Sequence, residues 1–138
     1  MNELDKIVAQ LTPKCKEAGY KKNRLTWYKT KNNLTVVFSI QKSQYGSDIW
    51  YYSFGVCLHE IAEANTQSIR HCQIFYRTNH IVDGVLLTAE NLIRLIDRWD
   101  ALYGDMKRLR ICALQGKLPG QCTVHAMRYL TSVNLANL

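Results

Sequence analysis

Two stretches of strict alternation dominate the middle of the chain. In the first, Leu34, Val36, Phe38 and Ile40 alternate with Thr35, Val37, Ser39 and Gln41. In the second, Trp50, Tyr52, Phe54, Val56 and Leu58 alternate with Tyr51, Ser53, Gly55, Cys57 and His59. A period of two is that of a pleated strand with one buried face. The polar run Gln41–Asp48, with Gly46 inside it, predicts the turn that joins them. The rest of the sequence reads as material that extends this hairpin or covers its apolar face.

Residues 2–18 predict a helix capped by Asn2, with an apolar stripe at Leu4, Ile7, Val8 and Leu11. Pro13 lacks the N–H that a helix interior needs, so the expectation is two pieces restarting at Thr12–Pro13 and stopped by Gly19. Tyr20–Lys31 reads as a single lysine-rich edge strand, with Trp27 and Tyr28 on opposite faces. Lys31–Asn33 is the turn that follows. A fourth strand is expected around His71–Arg77, and Asp83-Gly84 marks a tight turn. Thr88–Gln115 carries apolar residues at helical spacing behind a Thr88 cap, with Gly104 placed to bend or split it and Lys107, Arg108 and Arg110 toward its end. Gln121–Leu138 predicts a further amphipathic helix with Cys122, Ala126, Tyr129, Leu130 and Val133 on one face. These elements define one α+β domain over residues 1–138: an antiparallel three- to four-stranded meander with N-terminal and C-terminal helices packed on one face.

Composition narrows the class. At 138 residues, 47% hydrophobic and 21% charged, the chain reads as a soluble domain able to build one core. It has no apolar run of membrane-spanning length and no signal-peptide pattern. Five cysteines, an odd number without CxxC pairs, favour reduced thiols in the cytoplasm.

Charge is placed unevenly. Residues 1–47 hold nine Lys/Arg against three acids, whereas residues 48–85 hold two against four. A positive N-terminal third suits nucleic acid, phosphates or an acidic protein surface, or else is a solvated face that keeps the protein soluble.

Gly19-Tyr20-Lys21-Lys22, Trp27-Tyr28, Val37–Ser43 and Tyr51–Val56 together have a recognisable shape. The chain resembles the domain-of-unknown-function family 4304, whose members run "G-[FY]-K-K … F-Y … I-N-[FL]-Q-K-S … F-Y-[IV]-N-[LF]-G-[IV]" ahead of a helical part. Gln41-Lys42-Ser43 and Phe54-Gly55-Val56 carry the match, which covers residues 3–60; Ser39 and Ser53 depart from the expected Asn. The resemblance implies a small cytosolic bacterial protein, and some related small domains serve as immunity proteins in toxin systems.

Chemistry-bearing clusters are thin. Cys57, His59, His71 and Cys72 invite a zinc reading, but neighbours on a strand point to opposite faces, so no metal site or cofactor is expected. Cys57 and Cys72 read as small core residues. Cys122 with His125 is the spacing of many ordinary helices. No nucleophile elbow, phosphate loop or zinc-protease motif is present, so no catalytic residue is assigned and a non-enzymatic domain is expected. The expected contact surface consists of Lys21, Lys22, Arg24, Lys29 and Lys31 on the basic strand, with Lys42 and Tyr45 in the polar turn. Its expected partner is a protein with an acidic surface, such as a toxin blocked sterically. The alternative is nucleic acid bound along strand 20–31.

Overall fold

Trp27, Phe38, Phe54 and Tyr76 stand opposite one another on successive strands and give the sheet its aromatic spine. The structure, a computed structural model, describes residues 2–46, 48–62 and 65–132. The large sheet contains β1 (Lys21–Asn23), β2 (Thr26–Thr30), β3 (Leu34–Lys42), β4 (Trp50–Leu58), β5 (Ile74–Asn79) and β8 (Gln121–Cys122), in that order, every pair antiparallel. A separate hairpin pairs β6 (Ile81–Val82) with β7 (Val85–Leu86). The helices are α1 (Glu3–Glu17), α2 (Ala89–Tyr103), α3 (Met106–Leu114) and α4 (Val124–Thr131). The chain is α+β as expected, with a sheet larger than the expected three or four strands. No helix among the described residues is long and apolar enough to cross a membrane.

The central hairpin keeps one register from Leu34↔Leu58 to Lys42↔Trp50. Its even-numbered residues form the core with Leu4, Ile7 and Leu11 of α1 and Leu92, Ile96 and Trp99 of α2. Phe38 lies 5.7 Å from Trp27 and 5.1 Å from Phe54, and Phe54 lies 5.7 Å from Trp99, distances at which aromatic rings gain beyond simple burial. The other face is covered too. Short 3₁₀ turns form at His59–Ile61 and Ile69–His71, and Ile69 and Cys72 lie over Val37 and Cys57. A Cβ on Gly55 would sit 2.6 Å from Cys72 Sγ and 2.7 Å from Ile69 Cδ1, so this crossing requires glycine for space.

Four expectations are corrected. The first helix runs through Pro13 unbroken. Pro13 and Ala9, whose carbonyl the missing N–H would have met, are both exposed, so water can take that carbonyl, while Leu11 and Cys15 anchor the turn on the buried side. Tyr20–Lys31 is not one strand but a hairpin, with Asn23↔Thr26 closing a two-residue turn and Arg24 at φ 55°. Of these two strands β1 is an edge and β2 is paired on both sides. Gln121-Cys122 is a strand rather than the start of a helix, because Gly120 (φ 56°) lets the backbone cross Phe75 at a distance no side chain would allow. α4 then starts at Val124 under a Thr123 cap; the expected continuation through Val133 to Leu138 lies outside the described residues, as does Ser47 of the polar turn. Finally, Lys107 and Arg108 lie in the first turn of α3 rather than at a helix end, since the predicted long helix divides at Gly104 and Asp105 caps α3.

The other expectations hold with small shifts. The fourth strand is β5, starting three residues later than read, and Thr88 caps α2 in a reciprocal bond with Asn91. Asp83 and Gly84, both at positive φ, form the tight turn between β6 and β7.

Candidate interaction surfaces

The seven candidate contact residues separate into two groups. Lys29 and Lys31 on and after β2 turn toward α2, where Asp100 meets both, at 3.5 Å from Lys29 and 2.5 Å from Lys31. Lys31 Nζ also donates to the Gly104 carbonyl at 2.6 Å, supplying a cation where the last carbonyls of α2 need one. Gly104 is buried here, and a Cβ on it would stand 2.0 Å from Asp100 Oδ1 and 2.7 Å from Lys31 Nζ. These two lysines therefore hold the α2 terminus to the sheet. Arg108 of α3 ties back to α2 by donating to Ala101 O, and Arg110 donates to the Tyr129 and Leu130 carbonyls of α4.

Lys21, Lys22 and Arg24 are different. All three are exposed at the β1 edge and its turn, and none joins an ion pair among the described residues. Lys21 stands opposite Tyr28 and Lys22 opposite Trp27, so the two lysines serve opposite sides of the edge. Lys22 Nζ lies 5.4 Å from the Trp27 ring centroid, within reach of a cation–π contact. Arg24 and Lys42 lie at the same end of the sheet, because Thr26 pairs with Ser39 and β3 runs on to Lys42. Tyr45, 84% exposed, belongs to the turn at that end. The structure thus gathers Arg24, Lys42 and Tyr45 at one end and Lys21 and Lys22 along the edge, and diverts Lys29 and Lys31 inward. Trp27 is 1% exposed, which leaves Tyr28 as the ring of this strand pair able to meet a base.

The thiols and imidazoles do not converge. Burial pushes the Cys57 thiol up to about 11, and burial together with nearby Cys57 raises that of Cys72, so both are protonated at neutral pH. His59 Nε2 is engaged 2.7 Å from Thr35 Oγ1. Among the described residues no three His, Cys, Asp or Glu side chains are grouped so as to hold a metal ion.

A second surface, which sequence reasoning missed, lies at the opposite edge. Phe54, Tyr76 and Thr78 form the floor and Leu95, Arg98, Trp99, Leu102 and Tyr103 of α2 the wall of a groove of about 620 Å³. Val82 and Leu87 close one end of it, Pro119 and Gly120 the other. Its volume lies in the range of ligand-binding clefts. Trp99 contributes only its ring, since its Nε1 already donates to Gly55 O at 3.1 Å.

The fold and these surfaces define an α+β domain in which a helix-covered sheet presents one basic edge and one open edge. The chain belongs to the family described as Domain of unknown function (DUF4304), whose model matches residues 11–114. That match reaches past the central hairpin through β5, α2 and all of α3. No curated protein and no solved structure matches the chain.

Proposed function

We infer that this protein is a non-enzymatic protein-interaction domain that docks an acidic partner on its β1 edge. The observation that carries this reading is the division of its lysines. Lys29 and Lys31 share the Asp100 carboxylate, while Lys21, Lys22 and Arg24 stay exposed without a counterion among the described residues, flanked by Lys42 and Tyr45. Such a cluster steers an acidic surface and sets its orientation. Acting in the bacterial cytoplasm, the domain would serve as an immunity protein that covers a toxin's active site, a role that needs a rigid surface and no reacting group.

The test is capture from a bacterial lysate with tagged wild type and with Lys21→Glu/Lys22→Glu/Arg24→Glu, each with and without nuclease. The reading expects a stoichiometric protein that survives nuclease on wild type and is lost from the variant. Retention by the variant removes this surface. Loss of all bound material on nuclease treatment replaces the reading with nucleic-acid binding, whose affinity falls steeply with salt.

A further inference from the structure

The β5 edge is only partly occupied. β8 pairs with Ile74 and Phe75 and stops there, and Thr123 N donates to Gln73 O, which sets the alternation of that ladder. Odd-numbered residues of β5 therefore turn their backbone groups outward, away from β4. On the other side His80 N donates to Trp50 O, consistent with even-numbered residues facing β4. Arg77 and Asn79 are both exposed, and the N–H and C=O groups of each point along an edge that no strand of the described chain extends. Pro119, which would stand opposite Arg77 if the β8 register continued, has no N–H to offer.

The surroundings specify what could fill that edge. On the helix side is the aromatic groove, with Arg98 at its rim. Arg98 is exposed and makes no ion pair or side-chain hydrogen bond among the described residues. On the other side Arg77 lies 4.0 Å from the Tyr51 ring centroid, again without a carboxylate. A strand added here would send alternate side chains into the groove and toward Arg77. We propose that the β5 edge binds an extended peptide segment of a partner protein by strand addition, with large apolar side chains entering the groove between β5 and α2 and acidic side chains meeting Arg98 and Arg77. Main-chain bonds to Arg77 and Asn79 supply affinity, and the groove and the two guanidinium groups supply specificity. This inference is independent of the β1 edge.

The test selects displayed random ten-residue peptides on the full chain, then measures the affinity of the enriched peptides by fluorescence anisotropy. The expected peptides carry large apolar residues at alternate positions together with Glu or Asp. N-methylation should abolish binding at one set of alternate residues and spare the other. Arg98→Glu, on an exposed side chain that supports no neighbour, should weaken binding about tenfold or more, as removal of a complementary charge does. Lys21→Glu/Lys22→Glu/Arg24→Glu should bind as wild type does. The proposal is overturned if no peptide is enriched, if enriched peptides lack the alternation or are basic, or if N-methylation is tolerated throughout. It is equally overturned if affinity follows the β1 charges instead, or if sedimentation shows a second copy of the chain already occupying this edge.

Discussion

The two edges of the sheet face the same hazard and meet it differently. A strand edge is a template for pairing with another chain, and charge, brevity and cover are the usual protections. β1 uses the first two: it is three residues long and two of them are lysines. β5 carries a single cation, Arg77, along its open stretch Arg77–Asn79, and it runs beside an aromatic groove. Their proposed roles differ accordingly: β1 is to dock an acidic surface, and β5 is to take an added strand. The lysines teach a related lesson, since Lys29 and Lys31 match Lys21 and Lys22 in type yet serve the core. Register and the position of Asp100 make that distinction.

The largest expected effect tests the buried thiols. Cys15 of α1 packs near Tyr20, Ile93 and Ile96, and burial followed by the charge of Asp97 pushes its thiol up to about 11 from an ordinary 9.0. Burial raises Cys57 to about 11 as well. In the unfolded chain both thiols ionise near pH 9.0, so their contribution is whole below that pH and lost as pH rises through about 11. Urea midpoints should hold steady up to pH 9 and fall above it, and Cys15→Ala/Cys57→Ala should fall less steeply.

Gly104→Ala should come next, at about 3 kcal/mol, because its Cβ would push apart Asp100 and Lys31 at the junction of α2 and the sheet. Lys31→Met removes the cation but keeps the stem, and should cost about 1–2 kcal/mol in urea unfolding. Lys21→Glu/Lys22→Glu/Arg24→Glu should change stability by less than about 0.5 kcal/mol while abolishing capture of an acidic partner. If Lys31→Met and the triple variant cost the same, the division between structural and surface lysines is wrong.

Much of the fold was legible because it is written locally. The alternation over 34–40 and 50–58 predicts β3 and β4, and Thr88 and Asp83-Gly84 mark a cap and a turn. Gly55 in the family motif reads as a strand residue, and its reason, the close passage of Cys72, appears only in three dimensions. The β1–β2 turn was hidden because it has no glycine; Arg24 takes the left-handed conformation that Asn or Gly would have signalled. β8 is two residues long, too short to carry a period.

The candidate surfaces were half legible. Exposure of Lys21, Lys22 and Arg24 follows from strand composition, but the Lys31–Gly104 clamp joins residues far apart in sequence. The open β5 edge depends on where β8 stops, which no pattern in 121–122 announces.

Residue-resolved amide hydrogen exchange on the free protein tests the contrast between the edges most directly. Exchange should alternate along β5: slow at Tyr76 and Thr78, whose N–H groups face β4, and fast at Arg77 and Asn79, whose N–H groups face outward. Uniform protection across Tyr76–Asn79 would mean that the edge is already occupied, and would contradict the account.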